Sequence, residues 1–317
     1  MNHYKSLIAI LVLGLAALPG GSALSQAVGP APEKPAAAKP DLVIEGSSDI
    51  LPRMTVPVTV NGQGPFQFVV DTGANRSSVS ENLAARLALP AGPTVSVKSA
   101  TSTDNTPSAK LAQLAVGLRQ ITDVTAPVLT RANIGAEGIL GIDAVADQAV
   151  LMDFDKNIMT VGPSTWGNSD PSNTVIVRGR SRYGQLVMVD CLVEGVTVYV
   201  VVDTGGEVSI GNTALRESIR RRRLEKAQTV DITGVTGKTA EADLGMIPLV
   251  KVGGVGVTNM QVAYADLSIF KEFGLDKRPA MLLGMDVLRH FRRVSIDFKS
   301  RQVRFLLADN HGTFLPD

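Results

Sequence analysis

One cysteine, three histidines and 4% aromatic residues are all that this 317-residue chain has of the side chains that make disulfides, metal sites and stacking surfaces. Cys191 has no partner for an internal disulfide, and its place in an apolar run marks it as an inert core thiol. His3, His290 and His311 show no metal-ligand spacing, and no motif around them fits a Ser-His-Asp or Cys-His mechanism. No metal and no cofactor are therefore expected. Neither sign of charge predominates, with 31 Lys and Arg against 30 Asp and Glu, so nothing points to nucleic acid or an anionic membrane as partner. No apolar run is long enough to span a bilayer comfortably.

The longest apolar run, Leu7 to Leu18, follows Lys5 and precedes two small-residue sites, Gly21-Ser22-Ala23 and Ser25-Gln26-Ala27. That order is the signature of a signal peptide over residues 1–27 and predicts export, to a periplasm or the exterior. Residues 28–40 are rich in Pro and Ala and cannot build a core, so they read as an extended linker, with a trimmed propeptide as the other reading. Two halves follow, 41–162 and 174–310, joined by the polar, turn-rich segment 163–173. Val, Thr and Gly recur in short runs between turn residues, which predicts a mostly β fold with short helices.

The halves repeat one another. Phe68-Val69-Val70-Asp71-Thr72-Gly73 is echoed by Val200-Val201-Val202-Asp203-Thr204-Gly205, each preceded by a hairpin signal, Asn61-Gly62 and Glu194-Gly195. Downstream, Ile139-Leu140-Gly141-Ile142-Asp143 is echoed by Leu282-Leu283-Gly284-Met285-Asp286, and Met152-Asp153-Phe154 by Ile296-Asp297-Phe298. Two copies make a duplicated domain rather than a solenoid. Within each half the order is hairpin, Asp-Thr-Gly loop, short helix (Glu81 to Leu87; Thr213 to Lys226), a second hairpin, further strands, and Gly-x-Asp before another helix. The second hairpins carry polar tips, Thr103-Asp104-Asn105-Thr106 and Gly234-Val235-Thr236-Gly237, and are placed to lie over a cleft.

Two carboxylates about 3 Å apart cannot both ionise, so they share one proton and supply an acid and a base together. Such a pair hydrolyses an amide with water and needs neither metal nor nucleophilic side chain. The neighbouring residues suit this chemistry. Gly73 and Gly205 let the backbone turn tightly, and Thr72 and Thr204 can send hydroxyls across a two-fold axis. Ser77 and Ser209, six residues after each Asp, are expected to bond the outer carboxylate oxygens.

Both halves resemble the retropepsin-like aspartic protease family, and the whole resembles a single-chain, bilobal bacterial member of it. The resemblance rests on Asp71-Thr72-Gly73-Ala74-Asn75-Arg76-Ser77 and Asp203-Thr204-Gly205-Gly206-Glu207-Val208-Ser209 with their apolar-Gly partners. It implies two β-barrel lobes around a cleft, catalytic roles for Asp71 and Asp203, flap roles for the two hairpins, and a polypeptide substrate cleaved by a monomer. The alternative is a catalytically silent peptide-binding protein of the same fold, and a pairing of halves between chains is a third reading. Ala74 and Gly206 lack the hydroxyl that pepsin-like enzymes place after Asp-Thr-Gly, which predicts a mildly acidic rather than strongly acidic optimum. Asp143 and Asp286 read as helix N-caps, Asp153 and Asp297 as strand-end residues, Glu207 as a solvated side chain, and Arg220 to Arg223 as a solvated helix face.

Overall fold

The computed structural model describes residues 7–8, 13–14, 42–45, 53–163, 173–182, 185–219 and 228–307. In the first half, β1 (Thr55–Val60) and β2 (Gln63–Val70) form a hairpin whose turn residues Asn61 and Gly62 both take positive φ. That is the twist a two-residue turn needs to match its strands. β3 (Ser78–Ser80) follows the Asp71 loop and leads into α1 (Glu81–Arg86). Ser80 caps α1, its hydroxyl accepting from the Leu83 amide at 3.1 Å. Next come β4 (Val95–Lys98), β5 (Thr103–Thr106), β6 (Ser108–Val116) and β7 (Arg119–Leu129). Then α2 (Arg131–Ile134), β8 (Gly138–Leu140) and α3 (Ile142–Val145) complete the lobe.

Six of these strands close a barrel in the order β7-β3-β8-β2-β1-β6. Val56, Val58 and Val60 alternate into its interior, where Phe68, Leu111 and Leu114 meet them, all fully or almost fully buried.

The second half repeats this route. It runs through β12 (Gln185–Val193), β13 (Val196–Val202), β14 (Ile210–Gly211), α4 (Thr213–Ile219), β15 (Gln228–Thr233), β16 (Thr239–Val252) and β17 (Val255–Tyr264), then α5 (Ser268–Glu272), β18 (Ala280–Leu283) and α6 (Met285–Leu288). The order β16-β17-β14-β18-β13-β12 closes into a ring through the pairing of Cys191–Val193 with Val250–Val252. It matches the first barrel strand for strand. Glu194 and Gly195 turn the β12–β13 hairpin at positive φ, as Asn61 and Gly62 do in the first copy.

A shared antiparallel sheet joins the lobes. β9 (Gln148–Asp153) and β10 (Ile158–Pro163) from the first half lie beside β19 (Arg293–Asp297), β20 (Gln302–Leu306) and β11 (Thr174–Arg182) from the second, through the β9–β19 pairing. Asp153 and Asp297 end their strands and cap the following turns, accepting from the Lys156 amide at 3.0 Å and the Ser300 amide at 2.9 Å.

Of residues 1–27, only Leu7–Ile8 and Leu13–Gly14 are described, as two-residue strands beside β15 and β4. The stretch 28–40 and the connection 163–173, apart from Pro163 and Asn173, lie outside the described residues, as do His311 and the expected continuation of α4 through Arg220–Arg223 to Lys226. The first long hairpin departs from expectation. Its tip is Ser99–Ser102, and Thr103, Asp104 and Asn105 belong to the returning strand β5. The Ser99 hydroxyl accepts from the Thr101 and Ser102 amides at 3.3 and 3.1 Å, so a serine-centred turn takes the tip.

Candidate active site

Each Asp-Thr-Gly loop leaves its barrel at the end of a central strand, β2 for Asp71 and β13 for Asp203. The Asp71 amide donates to Leu140 on β8 at 2.9 Å, and the Asp203 amide to Leu283 on β18 at 3.0 Å. The two loops meet at the threonines. Thr72 Oγ1 donates to the Val202 carbonyl and Thr204 Oγ1 to the Val70 carbonyl, both at 2.6 Å. Each hydroxyl also accepts the other threonine's amide, at 3.1 and 3.2 Å. These four bonds are fully buried and lock the loops against each other.

Gly205 lies directly against Asp71. A Cβ at Gly205 would stand 2.4 Å from Asp71 Cγ, so no residue with a side chain fits there.

Within each loop one carboxyl oxygen is held by backbone. Asp71 Oδ1 accepts from the Gly73 and Ala74 amides at 2.8 and 3.0 Å, and Asp203 Oδ1 from the Gly205 and Gly206 amides, both at 3.0 Å. Asp71 Oδ2 is buried and has no hydrogen bond of ordinary geometry. Burial raises Asp71 well above the ordinary carboxylate range and the charge of Asp203 adds to the rise, while the two amides and Arg53 oppose it. Burial likewise pushes Asp203 to about 6, against the pull of the Gly206 and Gly205 amides, the Asp71 carboxyl and Arg53. The structure thus brings Asp71 and Asp203 together as two buried, mutually dependent carboxyls.

Ser77 and Ser209 do not bond these carboxyls as expected. Ser77 Oγ donates to Asp143 Oδ1 at 2.7 Å, and Ser209 Oγ to Asp286 Oδ1 at 2.7 Å. Asp143 and Asp286 in turn are not the N-caps. Gly141 and Gly284 occupy those positions, and the two carboxylates lie in the first turn of their helices, facing the loop serines. The residues predicted for separate tasks form one network because β8 and β18 pass beneath the loops, a proximity that residue spacing does not reveal.

The polar tips of the two long hairpins also meet. Thr236 Oγ1 lies 2.9 Å from Ser102 Oγ, Thr101 Oγ1 donates to the Lys238 carbonyl at 2.8 Å, and Lys238 Nζ pairs with Asp104 at 3.0 Å. Gly234, Val235, Thr236 and Gly237 form the second tip. Val235 is fully buried in an apolar cluster with Ala74, Val97, Leu129, Ile134 and Ile139 of the first lobe. Ala100, at the first tip, joins the corresponding cluster of the second lobe with Val201, Ile210 and Leu282.

Two residues depart from what the sequence predicts or are not marked in it at all. Glu207, expected in solvent, forms an ion pair at 3.1 Å with Arg53, and both side chains are largely buried. Arg53 Nη1 donates to the Ile134 carbonyl at 2.9 Å, and its positive charge lowers both Asp71 and Asp203. No pattern in the sequence marks Arg53, because it acts across the lobe boundary. Among the described residues no group of three or more His, Cys, Asp and Glu is placed to hold a metal ion, and no helix is long and apolar enough to cross a membrane.

Comparison with known proteins bears on both halves separately. Residues 56–147 match the gag-polyprotein putative aspartyl protease family, and residues 189–287 match a second aspartyl protease family. A retropepsin-like aspartic protease from Rickettsia conorii is among the similar solved structures, at 20% identity and a TM-score of 0.31, covering 42% of this chain and 90% of that one. No curated protein matches the chain. With each half matched over its Asp-Thr-Gly loop and its apolar-Gly strand, the chain belongs to the aspartyl proteases.

Proposed function

We propose that the protein is an aspartic endopeptidase in which Asp71 and Asp203, one from each lobe, form the dyad that activates water against a peptide bond. The observation that carries this reading is the reciprocal threonine bonding, which fixes the two loops back to back with both carboxyls buried and mutually dependent. In the resting pair Asp71 and Asp203 share one proton, since both carboxyls are raised by burial. The ionised member then takes a proton from water while the protonated member gives one to the carbonyl oxygen, and the leaving amine is protonated as the tetrahedral intermediate breaks down. Carbon–nitrogen cleavage consumes one water and leaves a carboxyl and an amine.

The substrate of this reading is an extended polypeptide held by main-chain bonds beneath the hairpin tips, which act as flaps. The protein works as a monomer, since both halves are in one chain, and no metal or cofactor takes part. Export rests on the leader signature of residues 1–27.

Asp71→Asn tests the reading against the silent peptide-binding alternative. Turnover of a peptide library should fall by about 10²–10⁴-fold while affinity for the same peptides is retained. Turnover that survives the substitution, or that a statine-type inhibitor leaves untouched, rejects the dyad.

A further inference from the structure

We propose that Asp143 and Asp286 are positioning residues for the two Asp-Thr-Gly loops, each acting through the loop serine, Ser77 or Ser209, on the strand end that carries the catalytic aspartate's backbone. The inference rests on the dyad reading above and extends it to the layer beneath.

The same relay of hydrogen bonds occurs twice. In the first lobe the Ser77 amide donates to Asp143 at 2.9 and 3.0 Å, the Ser77 hydroxyl donates to Oδ1, and that hydroxyl accepts the Gly141 amide at 3.1 Å. The residue before Gly141 is Leu140, whose carbonyl receives the Asp71 amide. In the second lobe the Ser209 amide donates to Asp286 Oδ2 at 2.9 Å, the hydroxyl donates to Oδ1, and the Gly284 amide donates to the hydroxyl at 3.0 Å. Leu283, just before Gly284, receives the Asp203 amide. The loops are sealed to the same helices from the other side, through Ile142 to the Ala74 carbonyl and Met285 to the Gly206 carbonyl, both at 2.8 Å.

Every hydrogen in this relay points toward the carboxylate. Asp286 Oδ1 accepts both the Ser209 hydroxyl and the Val287 amide, and Oδ2 accepts the Ser209 amide. An Asn there presents an NH₂ to a donor whichever way it turns, so one bond is lost and a repulsion replaces it. Burial makes this costly to relieve, since Ser77, Ser209 and both carboxylates are largely shielded from water. Arg76 acts electrostatically on Asp143, and Arg289 and Asp286 act on one another. N-capping of a four-residue helix would not require the same carboxylate to hold a loop on another element, in both halves alike.

The test uses the full chain with Asp286→Asn, Ser209→Ala and Ser209→Thr, read by peptide kinetics and by native-state hydrogen exchange. Asp286→Asn and Ser209→Ala should lower kcat at least tenfold with KM within twofold, and speed exchange of the Gly205 and Gly206 amides at least tenfold. The Gly73 and Ala74 amides of the other loop should be unchanged, and Ser209→Thr, which keeps the hydroxyl, should restore both readouts. Unchanged exchange at Gly205 and Gly206, or acceleration spread evenly over both lobes, overturns the proposal. Should Asp286→Asn fail to fold, Ser209→Ala separates the same two outcomes. The exchange readout needs no turnover, so an inactive wild-type chain would reject the dyad while exchange at Gly205 and Gly206 still decides the positioning role.

Discussion

Arg53 carries a positive charge that acts on both Asp71 and Asp203, and it does so from the start of the first barrel while pairing with Glu207 in the loop of the second. The duplication does not extend to this pair, because Asn75 holds the position in the first loop that Glu207 holds in the second. The two carboxyls are therefore not equivalent even though their amide partners match. Arg53→Met removes a charge that favours ionisation and breaks the ion pair with Glu207, so the Asp71 and Asp203 values both rise and the pH-rate profile moves to higher pH. A profile that stays in place while kcat falls would assign Arg53 a purely structural role. In the wild-type protein, burial without a hydroxyl at Ala74 or Gly206 keeps the pair singly protonated into the mildly acidic range. The expected maximum lies near pH 6, where the pair passes from doubly to singly protonated, and a peak below about 3 contradicts it.

At the scale of elements, the two long hairpins meet at their tips and each tip packs into the opposite lobe, and under the proposed function they gate access to Asp71 and Asp203. Their polar latch is weak on its own, since Lys238 is mostly exposed and an exposed pair contributes about 0–1 kcal/mol. The buried tips carry more, Val235 against the first lobe and Ala100 against the second. Val235→Asp places an unpaired carboxylate in that apolar cluster, which the hairpin escapes by swinging out rather than by unfolding the barrels. KM for an extended peptide should rise about tenfold, equivalent to about 1.4 kcal/mol of lost closure, with the thermal midpoint nearly unchanged. A large drop in midpoint with KM intact would show that the tip supports the fold instead. The second tip is legible in the sequence because Gly234 and Gly237 bracket a turn. The first is not, because Asp104-Asn105 has the composition of a turn, yet Asp104 is a strand residue bonded by Ser102 and Lys238.

For the whole molecule, the buried acids tie stability to pH. Asp203 and Asp286 are each raised to about 6, from an ordinary value near 4 in the unfolded chain. Between those values the folded state binds more protons than the unfolded state, so their contribution is fully present below about pH 4 and is lost as pH rises through 6. The thermal midpoint should therefore decline between pH 4 and 7, and Asp286→Asn should flatten that slope by removing one of the titrating groups. A midpoint that climbs across this window, with the slope unaltered in the variant, would mean that these acids are ionised in the folded protein at no cost. The interlobe sheet, with β9 paired to β19, makes the two barrels lose their packing together, which suits a single cooperative transition.

Local patterns in the chain were enough for the duplication, the mostly β class, the hairpin turns at Asn61-Gly62 and Glu194-Gly195, and the identity of the paired Asp-Thr-Gly loops. Each of these depends on neighbours within a few residues, or on repetition, and both survive in one dimension. Ser77 meeting Asp143, Ser209 meeting Asp286, Arg53 meeting Glu207, and Val235 entering the opposite lobe depend on which strand passes beneath which loop. Even the nearest of these pairs, Ser77 with Asp143, is 66 positions apart in the chain. At such separations local propensity is silent, and only the closing of two barrels against a common sheet selects the partners.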